Sequence, residues 1–195
     1  MHLLHLDASA RTASFSRDLS ARYAAAWRGT YRYRDLAADP PPVITEAWTE
    51  ICDQLMADGI TEIHRYPEAV RTPDQRAAWA IVEPLLAELV AADTVLIGTP
   101  MYNYSVPAAL KLWIDQVTFP RMSLAGRRFV VAGARGGTHD YHERYLRDFF
   151  AGHFGVEDVE FVTAELTNSL VDPLLANRKA DHVASYEAAV ARIAW

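Results

Sequence analysis

Five short strand-like segments, each followed by a stretch of helical periodicity, constrain this chain more than any other feature. The strands are expected at residues 2–6, 31–36, 94–98, 128–133 and 159–163. Most of these are short apolar runs of Leu, Val and Ile, the pattern of parallel strands buried on both faces. Between them, residues 16–27 carry Leu19, Tyr23 and Trp27 at helical spacing, and residues 46–57 form a second helical stretch. A third helix opens at Thr72-Pro73-Asp74-Gln75. Thr72 can cap it, Pro73 needs no N–H in the first turn, and Gln75 can reach back. That helix carries Ile81, Val82, Leu85, Leu86, Leu89 and Val90, and Pro84 within it predicts a kink or a break. Ser105 is a candidate cap for the next helix, with Pro107 in its first turn. Asp140-Tyr141-His142-Glu143 has the spacing of a capping box before a helix that stops at Gly155. Asp172-Pro173 opens a last helix with Val183, Tyr186, Val190 and Ile193 on one face. This alternation implies an α/β doubly wound parallel sheet with helices on both faces and right-handed crossovers. The expected strand order is 2-1-3-4-5, although periodicity alone does not dictate it.

Residues 1–195 are expected to form one domain, a length that can bury a large core. The net charge of −6 argues against a nucleic-acid partner. No apolar run reaches membrane-spanning length, and the first residues lack the pattern of a signal peptide. A strand that begins at His2 also argues against a cleaved leader. Cys52 is the single cysteine, so no intramolecular disulfide can form, and a cytoplasmic location follows as the simple expectation. Cys52 falls within a helical pattern with Trp48, Ile51 and Leu55, which makes it a buried, inert thiol.

In a parallel sheet the loops after strands one, three and four share one edge, where ligands bind. The first loop presents Ser9, Thr12, Ser14 and Ser16 at a helix N-terminus. Hydroxyls and unpaired N–H groups there can cradle a phosphate, or serve merely as a helix cap. Neither a Gly-x-Gly-x-x-Gly pattern nor a Lys-Ser/Thr pair is present, so a terminal monophosphate suits the loop better than a pyrophosphate. The second loop, Thr99-Pro100-Met101-Tyr102-Asn103-Tyr104, offers aromatic faces and backbone N–H groups to a planar ring; read plainly, it is a turn packed under the sheet edge. The third, Ala134-Arg135-Gly136-Gly137-Thr138-His139, lets a backbone approach a flat ligand closely, or is a flexible turn. Together they match a ligand with one phosphate and one large planar ring, namely flavin mononucleotide (FMN). No nucleophile, metal cluster or carboxylate pair accompanies them, so the cofactor itself would carry the chemistry.

These motifs resemble the family of FMN-dependent NADH:quinone oxidoreductases and azoreductases, of flavodoxin-like fold. The resemblance covers almost the whole chain. It rests on Ser9 with Ser14-Phe15-Ser16, on Pro100-Met101-Tyr102-Asn103-Tyr104 followed by Pro107 and Leu110-Lys111, on Arg135-Gly136-Gly137, and on residues 154–161. NADPH-dependent flavin reductases share the Pro-x-Tyr-Asn loop, but Met101 and the Arg-Gly-Gly loop favour the azoreductase branch. The resemblance implies that Ser9, Ser14, Phe15 and Ser16 hold the phosphate. Pro100, Met101, Tyr102, Asn103 and Tyr104 would line the ring and ribityl chain. Ala134, Arg135, Gly136 and Gly137 would close the other side, with His139 at the pyrimidine end. Ala134 stands where relatives often carry Ser. The segment between Asp115 and Gly126 is shorter than in relatives, which opens the question of a different acceptor.

The implied reaction is ping-pong: NADH or NADPH reduces FMN, and a quinone or azo compound then takes its place, with Asn103, Tyr104 and His139 assisting. A homodimer is implied, with a substrate pocket of Tyr104, Trp113, Phe119, His153 and Phe154. Rival readings are an NADPH-dependent FMN reductase and a flavodoxin-like electron carrier, which NADH would not bleach directly. A signalling receiver domain would need an Asp after the third strand, where Gly98-Thr99 stands instead.

Overall fold

A computed structural model describes residues 1–193. It contains a five-stranded, wholly parallel sheet in the order β2-β1-β3-β4-β5. The strands are β1 (His2–Asp7), β2 (Thr30–Asp35), β3 (Thr94–Pro100), β4 (Arg128–Ala134) and β5 (Val159–Ala164). The helices are α1 (Phe15–Ala26), α2 (Glu46–Asp58), α3 (Pro73–Ala91), α4 (Ala108–Val117), α5 (Tyr141–Phe149) and α6 (Lys179–Ile193). The expected flavodoxin-like order is therefore observed. None of the described helices is long and apolar enough to cross a membrane.

Alternation along the strands divides the core into two layers. Leu3, Leu96, Val130, Ala132, Val162 and Ala164 pack with Leu19 and Tyr23 of α1 and with Ala189 and Ile193 of α6. Leu4, Leu6, Val95, Ile97, Phe129 and Val131 face the other way, onto side chains from α2, α3, α4 and α5. Every residue of β3 is buried, as expected for a strand covered on both faces. Cys52 is buried in the second layer, and burial pushes its thiol up to about 12. It is inert at neutral pH.

Several local expectations are corrected. Pro84 does not break α3, which runs continuously from Pro73 to Ala91. Pro84 lies on the exposed side, where a helix can bow toward water, while Leu85, Leu86 and Leu89 hold the following turns onto the core. Ser105 does not cap α4: Pro107 takes that position, because the Ser105 backbone is used in a turn with Tyr102. The Asp140–Glu143 capping box does not form either. Asp140 pairs with Arg144 at 3.1 Å, and Glu143 is drawn inward to Arg135. Asp172 caps a 3-10 turn, Pro173–Arg178, that precedes the last helix, and Val183 faces solvent.

The sheet edge depends on a side chain that is missing at Gly98. A Cβ there would stand 2.0 Å from Asp7 Oδ1 and 2.8 Å from Ser20 Oγ. Gly98→Ala is expected to cost about 1–3 kcal/mol through overpacking, measured as a lower urea midpoint at unchanged m-value.

Candidate functional site

The first loop is built on the N-terminus of α1. Ser14 is the N-cap, extended at φ −133° and ψ 147°, and its Oγ accepts from the Arg17 N–H. The first-turn N–H groups ahead of Arg17 remain directed out of the helix. Ser16 is fully buried, and its hydroxyl meets Ser14 Oγ at 3.0 Å. Ser9 Oγ accepts from the Arg11 N–H at 3.2 Å and lies 3.4 Å from the Tyr102 hydroxyl, joining the first loop to the second.

Arg17 is committed to the scaffold. Its Nη2 donates to the Ser9 carbonyl at 2.8 Å and to Asp35 Oδ1 at 2.7 Å, and its Nη1 donates to the Tyr33 hydroxyl at 3.1 Å. The bond to Asp35 raises the guanidinium pKa, and Arg17 in turn holds the Asp35 carboxyl below its usual range. Tyr33 donates to Asp7 Oδ2 at 3.1 Å; burial and then the Asp7 charge push its phenol up to about 12.

The second loop is a two-residue hairpin turn. Tyr102 and Ser105 exchange both N–H···O bonds at 2.9 Å, and the central residues have positive φ, 48° at Asn103 and 65° at Tyr104. This is type I′ geometry, in which Asn is well tolerated and Tyr is strained. The Asn103 and Tyr104 N–H groups stand outside the paired bonds. Met101 N donates to the Ala134 carbonyl at 2.7 Å and so anchors the turn to β4.

The third loop is knit to the chain beyond β5. Thr167 N donates to Arg135 O at 3.1 Å, Asn168 N to Gly136 O at 3.3 Å, and Leu166 N to Gly137 O at 3.2 Å. A Cβ on Gly136 would approach the Asn168 side chain to within 2.4 Å. The Arg135 guanidinium is buried: Nη1 donates to Glu143 at 2.5 Å, while Nε and Nη2 both reach Glu165.

These loops enclose a cavity of about 310 Å³ lined by Ser9, Ser14, Phe15, Pro100, Met101, Tyr102, Ala134, Arg135 and Gly136 among the expected residues. Ser16 supports Ser14 from below. Asn103 and Tyr104 form the exposed tip of the turn, and Gly137 follows the lining residues. His139 is exposed outside the cavity, in an aromatic group with Tyr141 and Tyr104. Arg11, Thr167, Asn168, Leu170 and Val171 also line the cavity. The wall after β5 was missed by motif reading, yet parallel topology puts the carboxyl end of β5 at this same edge. The donors and the shape fit FMN: hydroxyls and a helix N-terminus at one end, Met101, Tyr102 and a side-chain-free Gly136 at the other.

The expected substrate pocket is corrected. Trp113, Phe119 and Phe154 have no exposed surface and belong to the core. Phe119 is surrounded by Trp48, Tyr66 and Trp79, with ring centroids 5.1 to 6.1 Å away. The segment between Asp115 and Gly126 folds inward, burying Met122 and Leu124, instead of bordering the cavity. His153 is half-buried, stacked on Phe149 with its Nε2 at 3.1 Å from the Phe119 carbonyl. Tyr104 alone of the five stands beside the cavity.

Two expected outcomes test this geometry. Tyr104→Gly relieves a positive φ and should raise stability by up to about 1 kcal/mol, whereas Tyr104→Val should lower it; thermal melts of the two variants check this. His142 is fully buried beside Arg135, and burial followed by the Arg135 charge depresses its pKa to about 4. A depressed histidine lets the unfolded chain bind the extra proton, so its contribution is complete above pH 6.5 and is lost as pH falls toward 4. That loss is on the order of 3 kcal/mol. Urea midpoints across this range should fall less steeply in His142→Leu.

Comparison with known proteins supports the same reading. A family model described as a flavodoxin-like fold matches residues 1–190. An FMN-dependent NADH:quinone oxidoreductase of Nocardia farcinica is 64% identical over 94% of this chain and 92% of its own length. One from Parafrankia is 37% identical over 90% of this chain and 88% of its own. Among solved structures, an azoreductase from Bacillus anthracis matches with a TM-score of 0.74 at 19% identity, over 98% of both chains. An FMN-dependent NADH-azoreductase of that organism, in complex with FMN, matches with a TM-score of 0.69 at 23% identity over the full length of both. At these identities the structural likeness speaks for the fold, and the sequence relatives speak for the family. The chain belongs to the FMN-dependent NADH:quinone oxidoreductases, a family of flavodoxin-like fold.

Proposed function

We propose that this protein is an FMN-dependent oxidoreductase that transfers electrons from NADH to quinones, with azo compounds as a second class of acceptor. The observation that carries the proposal is a cavity that joins Ser9 and Ser14 to Met101, Tyr102 and Gly136. FMN, when bound, supplies the two-electron relay between the nicotinamide donor and the acceptor. Ser14 and the first N–H groups of α1 would hold the phosphate, and Ser9 would support that end. Met101 and Tyr102 would orient the ring, the unpaired Asn103 and Tyr104 N–H groups would be available to donate to it, and the Gly136 and Gly137 backbone would pack against it. His139 and Tyr104 border the outer face where donor and acceptor approach. Donor and acceptor would use this one cavity in turn, a ping-pong order.

The active unit is a homodimer in this reading. Leu170, Val171 and Leu174 are exposed along or beside the cavity wall, Leu174 to 89%, and Tyr104 to 65%. A second copy that covers this apolar rim would close the open side of the flavin; His153, bonded to the Phe119 carbonyl next to the starts of β4 and β5, lies away from that rim. Phe154 has no role there because it is core. A cytoplasmic location suits the nicotinamide donor and the unpaired Cys52.

The test is reconstitution. Purified protein should bind one FMN per chain, prefer FMN to FAD, and oxidise NADH with a simple quinone to give parallel double-reciprocal plots. A preference for FAD, or no flavin uptake, would overturn the proposal. Ser14→Ala should weaken FMN binding by about 1–3 kcal/mol and cost about 1 kcal/mol of stability as a lost cap, by fluorescence titration and urea unfolding. Sedimentation velocity on the loaded protein reads the dimer separately: a fully active monomer would remove the interface and leave the flavin assignment standing.

A further inference from the structure

We propose that Glu143 is a positioning residue for the flavin: through Arg135 it holds the Gly136-Gly137 backbone in its receiving geometry, without itself touching the cofactor. The proposal rests on the assignment of the Ala134–Gly137 loop to FMN.

Arg135 lies at the end of β4, where a cation would ordinarily be read as a direct partner of an electron-rich ring. The geometry directs its charge elsewhere. Nη1 meets Glu143 of α5 at 2.5 Å, and Nε meets Glu165 after β5 at 3.1 Å. Glu143 also accepts from the Thr163 hydroxyl at 2.6 Å. Arg135 is 8% exposed and Glu143 9%, so the pair is shielded from water, where an ion pair holds its geometry firmly. His142 beside it is neutral at physiological pH and adds no charge.

The cluster lies on the α5 side of the sheet, and its effect is mechanical. Arg135 N donates to Ala164 O at 3.0 Å, and the Arg135, Gly136 and Gly137 carbonyls are taken by Thr167, Asn168 and Leu166. With those carbonyls committed to the segment after β5, the Gly136 and Gly137 N–H groups have no partner among the described residues and remain for a ligand. Two adjacent glycines would otherwise sample many conformations. The Arg135 clamp joins β4, α5 and the end of β5 at the residue preceding them, and so restricts that freedom. It also explains why Glu143 forms no capping box at the start of α5.

The mechanical role and a purely electrostatic one predict different results. Glu143→Asp keeps the charge but is one methylene too short to span Arg135 and Thr163. Under the positioning role it should raise the FMN dissociation constant about fivefold or more. It should also lower the flavin midpoint potential, because misplaced N–H donors stabilise less of the negative charge that reduction brings to the pyrimidine edge. Glu143→Gln should weaken FMN binding similarly. Fluorescence titration and spectroelectrochemistry on FMN-loaded protein read both quantities, with wild-type FMN binding and NADH oxidation measured alongside. If wild type binds no FMN, the functional assignment fails first. If wild type binds normally, and Glu143→Asp matches it in both affinity and potential, the positioning role is overturned. A rise in potential confined to Glu143→Gln would assign Glu143 a charge effect alone and overturn it equally. Should either variant fold poorly, Thr163→Val removes the hydroxyl from Glu143 without altering charge. It should then shift affinity and potential in the same direction by a smaller amount, and unchanged values would again overturn the proposal.

Discussion

The ligand edge of this protein is organised around one buried carboxylate. Asp7 ends β1, and it is 4% exposed. A carboxyl group so placed is tolerable only when its oxygens have hydrogen-bond partners. Ser20 donates to Oδ1 at 2.8 Å and Tyr33 to Oδ2 at 3.1 Å, with Arg17 Nη1 at 3.6 Å. These partners come from α1 and β2, and β3 contributes the space that a side chain at Gly98 would fill. Arg17 passes the constraint on to the Ser9 carbonyl and to Asp35. The first loop is thereby attached to the sheet by the network that satisfies Asp7.

The three loops form one assembly. Ser9 approaches Tyr102, Met101 bonds Ala134, and the Arg135-Gly136-Gly137 carbonyls accept from residues 166–168. The α6 side supports it as well. The Phe15 ring meets His182 and Tyr186 edge-on, at 4.7 and 5.5 Å. A cofactor that performs the chemistry itself requires little reactive machinery from the protein, but it requires stable orientation. That accounts for a site rich in hydrogen bonds to backbone and poor in nucleophiles. Backbone strain is concentrated at the same edge: of the four non-glycine residues with positive φ among the described residues, Asn103, Tyr104 and Leu166 lie there, and the fourth, Arg121, lies in the segment after α4.

Most of the fold was legible because its signals are local. Strand alternation, the Thr72 cap with Gln75, and the helical spacing of apolar residues depend on neighbours within a few positions. The candidate site was legible for a related reason. In a parallel sheet, the strand ends gather their loops at one edge whatever the loops contain, so Ser9, Ser14, Met101, Tyr102 and Gly136 could be grouped before any distance was known. The wall formed by Thr167, Asn168, Leu170 and Val171 carried no motif, since it contributes shape and backbone bonds.

What the sequence by itself determined is the set of strands and main helices, the flavodoxin-like class and the family motifs at the carboxyl edge of the sheet. What only the tertiary structure decided is the allegiance of residues whose chemistry permits two roles. Phe119 and Trp113 could line a pocket or fill a core, and the surrounding rings and burial settled on core. Glu143 could cap α5 or pair with Arg135, and Arg17 could meet a phosphate or Asp35. Ser105 could start a helix or close the I′ turn. In the first three cases the deciding partner is contributed by another element, and local spacing carries no information about it; Ser105 is decided by the positive-φ turn it closes with Tyr102, which only the backbone conformation shows. Burial removes water as the competing partner, so the tertiary contact, once available, prevails over the local one.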